Sequence, residues 1–424
     1  MTDGSPSSTS HAGDLESDQP PLTGIRVLDF TRFVAGPYVT MLLADSGAEV
    51  VKIEPIGGEE TRQLDPKIDT PSGEASGYFH RFNRSKRSVC VDLQSERGRQ
   101  IVLELAPAFD VVVENFRPGV LESMGIGYSV LSERAPGIVY CSISGYGHTP
   151  GPRRDDPAFA ILAEVSAGVV GRGVRSEDPP VRLSAPLGDL YPAALAVSGI
   201  CMALLQRERT GTGAHVDMAM YDALVSLNEN AITMSAATGV EMLSTGALTY
   251  AAPFGIFRAA NGHICIAVLG EKMWRRFCEA IGRPDLASRT DLASGSARAE
   301  AMKAELGEAL EKWLSPLTRA EAVERLVSHG VPAGIVATPF DVIGSAQTEA
   351  RNLLWEVSSY TGAQIRTVAS PIRISPLRFA APGPVPAPGE HTVDVLTTIG
   401  GYRADEVDEL IAQGVVADWR PSKP

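Results

Sequence analysis

The sequence predicts an α/β protein whose strands form a parallel sheet with helices on both faces. Two observations lead there. The first is a strand–turn–helix–strand unit near the start of the ordered chain. Gly24–Phe30 is a short β-type run and Val34-Ala35-Gly36-Pro37 a small-residue turn; Tyr38–Gly47 has helical texture, and Glu49–Glu54 is a second strand closed by Pro55. Such a unit needs a crossover, and a crossover places its two strands parallel. The second observation is that the alternation continues. Ser95–Ala106 predicts a helix, Phe109–Val113 a strand, Gly119–Met124 a short helix and Ile138–Ile143 a strand. Repeated βα alternation is the pattern of layered α/β domains.

Farther along, Pro192–Gln206 predicts a long helix rich in Ala, Ser and Gly, which lets another backbone approach closely. Ala214–Ala219 follows as a strand and Tyr221–Asn228 as a helix. After about Ala231 the texture changes. Pro253–Arg258 and His263–Leu269 predict an antiparallel pair turned at Asn261-Gly262, a dipeptide suited to φ > 0. Charged amphipathic helices are expected at Glu271–Ile281, Arg298–Leu314 and Arg319–His329. The expected organisation is therefore a disordered Ser/Asp/Gly/Pro tail over 1–20, a large domain beginning at 21–229, a smaller domain over 230–330, and a segment over 331–424 that returns to the large domain.

Composition narrows the function classes. The chain has 424 residues, 44% hydrophobic and 21% charged, as expected of a globular protein. A net charge of −13 argues against nucleic acid, because phosphate backbones select basic faces. Apolar runs such as Val111–Val113 and Ile264–Leu269 are far shorter than a bilayer span, so no membrane partner is expected. The N-terminus shows neither a basic n-region nor an apolar h-region. The five cysteines (Cys90, Cys141, Cys201, Cys265, Cys278) form no C-x-x-C pair, which fits the reducing cytoplasm.

Several chemistries fail on spacing. The first βα turn reads Thr31-Arg-Phe-Val-Ala-Gly-Pro37 instead of G-x-G-x-x-G, so no nicotinamide or flavin is expected. The histidines are single and widely separated, without ligand spacing, so no metal is expected. No G-x-S-x-G marks a serine nucleophile. The compact basic cluster Asn83-Arg-Ser-Lys-Arg-Ser88 reads equally as a solvated loop or as a phosphate contact. Asp189, after Gly188 and just before the small-residue helix, reads on pattern alone as an N-cap, with catalysis the second reading.

A set of motifs in order alters that balance. It comprises Leu22–Phe30, Ala35-Gly-Pro37, Gly47–Pro55, Asn83–Ser88, Val113-Glu-Asn-Phe-Arg-Pro-Gly119, Ser144-Gly-Tyr-Gly147, Gly188-Asp189, Arg209-Thr-Gly-Thr-Gly213 and Gly389-Glu-His-Thr392. Together they resemble the class III CoA-transferase family, which includes formyl-CoA transferase, carnitine CoA-transferases and α-methylacyl-CoA racemases. The resemblance implies a Rossmann-like large domain built from both chain ends, a smaller inserted α+β domain, and a homodimer interlocked like two rings. It implies an acyl-CoA substrate contacted by Arg32, Val34, Ala35, Lys86, Arg87, Asn115, Phe116, Arg117 and Met124, with Asp189 at the catalytic aspartate position. CoA transfer to a carboxylic acid, through an acyl-aspartyl anhydride and an aspartyl-CoA thioester, is the leading expectation. Gly188 is expected to let the reacting carbonyl approach backbone N–H donors.

The sequence also departs from the family pattern. Phe159 stands where the racemase branch needs a histidine, and Ala160 where transferases commonly carry an acid. No glycine-rich flap lies between Ala231 and Pro253, and Glu271, near a racemase acid, fits simple placement at a helix N-terminus. Isomerisation of an acyl-CoA, by α-epimerisation or intramolecular CoA migration, is the second reading. Non-catalytic acyl-CoA binding is the third.

Overall fold

The structure is a computed structural model that describes residues 19–70, 73–170, 181–182, 184–241, 250–375, 377 and 381–419. The tail expected over 1–20 lies almost wholly outside the described residues. The chain divides into two units: 1–170 with 182–240 and 352–424, and 171–181 with 241–351.

The first unit opens with β1 (Arg26–Asp29), α1 (Ala35–Asp45) and β2 (Glu49–Glu54), followed by β3 (Lys86–Val91), α2 (Glu96–Leu105), β4 (Val111–Glu114) and β5 (Val139–Ser144). Next come α3 (Ala160–Ser166), α4 (Leu187–Thr210), β6 (Ala214–Ala219), α5 (Met220–Leu227) and α6 (Glu229–Thr238). Strands β1 to β6 lie parallel in the order β3-β2-β1-β4-β5-β6. The Val- and Ile-rich runs of β2, β4 and β5 are buried on both faces, as parallel strands sandwiched between helices require. One core packs α2 against one face of the sheet through Ile101, Val102 and Leu105. The other packs α1 and α4 against the opposite face through Val39, Leu43, Ala196 and Ile200.

In the second unit, β7 (Phe254–Ala259) and β8 (Gly262–Ala267) form the expected antiparallel pair, with Gly262 opposite Ala259. The helix expected over Arg298–Leu314 is instead two, Gly295–Ala301 and Glu305–Leu314, with backbone turns between them. Those helices, Glu271–Ala280 and Arg319–Ser328 enclose Trp274, Phe277, Leu310 and Leu326. A third strand, β9 (Ala333–Ile335), pairs with β8. Residues to Arg351 therefore stay with this unit, later than the boundary of 330 read from the sequence. Beyond Asn352, the short strand β10 (Val416–Ala417) joins β3 antiparallel, so the chain's end closes the sheet edge that its beginning opened.

Helix α4 begins at Leu187, earlier than the Pro192 expected from composition. By length and apolarity alone it would cross a membrane. Its apolar stripe, Ala193, Ala196, Ile200 and Ala203, is instead buried in the core against the sheet.

Candidate active site

In this strand order, connections leave β1 and β4 in opposite directions, so a crevice opens at the carboxyl ends of these neighbouring strands. A cavity of about 730 Å3 lies there. Its walls include Phe30, Arg32 and Val34 after β1, Asn115, Phe116 and Arg117 after β4, Met124, and Asp189 of α4.

The first turn is shaped from below. Asp29, fully buried, accepts bonds from the Thr31 N–H and hydroxyl through one carboxylate oxygen, and from Thr40 and Lys86 through the other. A Cβ on Gly36 would sit 2.4 Å from the Thr31 Cβ, so this turn admits only glycine there. No side chain caps α1, and its N-terminus is the kind of place that accommodates an anionic group. Asn115 ties the two loops together: its Oδ1 accepts the Arg32 N–H at 2.8 Å and its Nδ2 donates to the Arg32 carbonyl at 2.7 Å. The Arg32 guanidinium lies over the Phe116 ring, 4.7 Å from its centroid. Behind the second loop, buried Glu114 accepts the Phe116 N–H at 2.7 Å. Burial pushes the Glu114 carboxyl up to about 8 despite that bond and one from Ser142.

Of the side chains expected to contact CoA, Arg32, Val34, Asn115, Phe116, Arg117 and Met124 line this cavity. Three do not. Ala35 is buried in the first turn of α1. Lys86 is fully buried, and its ammonium donates to Asp29, Asn83 and the Pro37 carbonyl, which uses its three N–H bonds. Arg87 pairs with Glu49 and Asp394. Lys86 and Arg87 border a separate cleft of about 380 Å3 with Asp45 and His391. Neither reading of the basic cluster fits, since Arg84, like Lys86, is a buried ion-pair partner, here of Asp45. A compact run of cations looks the same in sequence whether it faces solvent, ligand or buried carboxylates.

Asp189 is not the N-cap. Pro186 holds that position, and Asp189 lies in the first turn of α4, its N–H donating to the Pro186 carbonyl at 3.1 Å. Its carboxylate is half-buried at the cavity wall. Burial pushes it up to about 6; Glu164 adds to that rise, while Arg182 and Arg81 oppose it. Gly188 is needed for packing: a Cβ there would lie 2.6 Å from the Ala160 carbonyl oxygen. Its N–H donates to Glu164 Oε1 at 3.0 Å, so that donor is already engaged within the protein.

Glu164 and Arg182 are the residues that sequence reasoning missed. Glu164 is buried on α3, one helical turn beyond Ala160, and pairs with Arg182. The i, i+4 spacing from Ala160 was a usable signal, since it puts both residues on one helix face. Arg182 sits in no recognisable pattern. Phe159 also lines the cavity, and no histidine does among the described residues.

The architecture and the chain's motifs have relatives. The model of CoA-transferase family III matches residues 22–392. A succinyl-CoA:mesaconate CoA-transferase of Haloarcula marismortui is 36% identical over 386 residues, spanning 89% of this chain and 96% of that protein. A succinate–glutarate CoA-transferase of Agrobacterium fabrum is 31% identical, spanning 91% of this chain and 97% of that one. The crystal structure of a CAIB/BAIF family protein from Brucella suis superposes with a TM-score of 0.81 at 30% identity, covering 90% of this chain and all (100%) of that one. With the family model matching most of its length and relatives that match end to end, this chain belongs to CoA-transferase family III and is a class III CoA-transferase.

Proposed function

We propose that the enzyme moves CoA from an acyl-CoA thioester to a carboxylic acid, with Asp189 as the covalent nucleophile. The observation that carries this reading is the position of Asp189. It is a half-buried carboxylate on the wall of the cavity that also gathers Arg32, Phe116 and Arg117. The Asp189 carboxylate attacks the thioester carbonyl, and the C–S bond breaks to release CoA thiolate and leave an acyl-aspartyl anhydride. The thiolate then attacks the aspartyl carbonyl, expelling the donor as its free acid and leaving an aspartyl-CoA thioester. The acceptor carboxylate repeats the two steps in reverse, leaving as a new acyl-CoA and regenerating Asp189. The anhydride and the aspartyl-CoA thioester are both energy-rich, so the activation of the donor thioester is carried to the acceptor and no external energy source is required.

Relatives named for succinyl-CoA, mesaconate, succinate and glutarate support a dicarboxylic donor or acceptor. The cations Arg32, Arg117 and Arg182 on the cavity wall suit a polyanionic ligand. Phe159 at the cavity offers no group to exchange an α-proton, which favours transfer over epimerisation. The test is to incubate the enzyme with succinyl-CoA, reduce with borohydride and map the product by mass spectrometry. A reduced side chain at Asp189 is the expected result, and none across a broad acyl-CoA panel would sink the reading.

An interlocked homodimer is part of the same proposal. Helix α6 has no buried residue, and Ile232 and Met234 on it are exposed, as are Met202 and Leu205 on α4. Apolar helix faces of this kind call for a partner, and a second copy of the chain is the occupant proposed. Light scattering should give the mass of two chains; a monomer at micromolar concentration would refute it. The five free cysteines support a reducing, cytoplasmic location.

A further inference from the structure

Helix α4 starts without a local side-chain cap. The N–H groups of Asp189 and Leu190 both turn to the Pro186 carbonyl, at 3.1 and 3.0 Å. The Gly188 N–H instead reaches across to α3, where Glu164 Oε1 accepts it at 3.0 Å. Glu164 therefore serves as a remote cap on the turn that carries Asp189. Arg182 holds the same carboxylate, donating from Nη2 to Oε1 at 3.2 Å and from Nε to Oε2. The Glu164 side chain is 3% exposed, whereas Arg182 is 39% exposed and lines the cavity.

We propose that Glu164 is a positioning residue for Asp189: it fixes the first turn of α4 through the Gly188 N–H and keeps a permanent negative charge beside the nucleophile. This rests on the covalent role given to Asp189 above. Among the described residues, the charged and titratable groups that act on Asp189 are Glu164 from α3, Arg182, Arg81 and the Tyr78 hydroxyl, and α4 contributes no other charge in its first turn. Arg182 and the Gly188 N–H hold the Glu164 carboxyl below its ordinary value although burial works against them, so Glu164 stays ionised while the enzyme works. A like charge makes an ionised Asp189 more basic and less comfortable. Acylation removes that charge in both the anhydride and the thioester, so the neighbour favours the two covalent intermediates over the free carboxylate. It also counters the helix dipole, which alone would favour the anion at this position.

Glu164→Gln keeps an oxygen acceptor for the Gly188 N–H and discards the charge. The acidic limb of its kcat/KM profile should move down by roughly half a unit or more, with kcat several-fold lower. Glu164→Asp keeps the charge with a shorter reach. Its acidic limb should stay near that of the wild type while kcat falls, because the contact to Gly188 is stretched. Unchanged profile and rate in Glu164→Gln would overturn the proposal. If that variant does not fold, full wild-type kcat in Glu164→Asp would overturn it as well. Borohydride trapping at Asp189 in the wild type separates the two levels. No adduct there removes the covalent reading itself, whereas an adduct with an unaltered Glu164→Gln profile removes only the role of Glu164.

Discussion

Glu54 and Asp189 are carboxylates of the same sheet-and-helix unit, one buried and one half-buried, and their surroundings shift them in opposite directions. At the end of β2, Glu54 meets Arg62 edge-on, Oε1 to Nη2 and Oε2 to Nε at 2.7 Å each, and accepts the Ser88 hydroxyl at 2.6 Å. Burial alone would raise Glu54, but Arg62 overcomes it and brings the group to about 2. At the start of α4, burial acts in the same direction on Asp189, but Glu164 reinforces it and the nearby guanidiniums only partly offset it, leaving about 6. The lesson is that desolvation by itself decides neither stability nor reactivity. A buried carboxylate whose charge is fully matched holds the scaffold. One whose charge is under-matched, as at Asp189, holds its proton more tightly, and it is the carboxylate proposed above as the nucleophile.

This contrast can be broken or sharpened by mutation. The largest effect is expected at Asp189. Asp189→Ala should lose on the order of a thousandfold or more in CoA transfer with an unaltered fold, measured by steady-state rates and circular dichroism. Retention of activity within tenfold would end the nucleophile assignment. Next, Glu54→Gln leaves Arg62 buried and unmatched, and denaturant unfolding at pH 7 should show a loss of about 3–5 kcal/mol. Because the folded chain holds Glu54 below its ordinary value, this stabilisation is present above about pH 4.5 and disappears as the pH falls toward 2.

Asp189 should behave with the reverse sign. Its proton is held more tightly in the folded chain, so stability declines as pH rises from about 4 to about 6. Asp189→Asn should therefore be more stable than the wild type by about 1–3 kcal/mol at pH 8 and equal to it near pH 3. Thermal melts across pH would reveal it, and a destabilised variant at pH 8 would contradict the under-matched picture. The wild-type kcat/KM should also fall below about pH 6, as the nucleophile takes up its proton. Gly188→Ala sets a Cβ against the Ala160 backbone and should cost about 1–3 kcal/mol, with a drop in kcat as the Asp189 turn shifts. The smallest effect is expected from Arg32→Ala, about tenfold weaker acyl-CoA binding measured by calorimetry, lessening as salt rises.

Much of this was legible in the sequence. The strands expected at Glu49–Glu54 and Ala214–Ala219 are β2 and β6 to the residue, and the Asn261-Gly262 turn located the β7–β8 pair. The turn after β1 and the Asn115–Arg117 segment were read as parts of one site, and they do share a cavity. The errors have a common cause. Lys86 looked like a phosphate ligand because charge was visible and its partner was not; Asp29 lies far away in sequence and directly beneath it in space. Asn115 does line the cavity, and what the sequence does not reveal is that its amide also ties down the Arg32 backbone. The helix expected over Arg298–Leu314 breaks because amphipathic texture does not register a local turn.

The sequence by itself determined the alternating α/β plan and the family, and through the family resemblance it singled out Asp189 as the candidate nucleophile, because periodicity, turn chemistry and motif order are properties of neighbouring residues. Which cations face the cavity, and what sets the proton affinity of Asp189, were decided only by the tertiary structure. Burial and Coulomb interactions depend on distance in space, and the strand order that joins β1 to β4 also brings α3 and Arg182 to the start of α4.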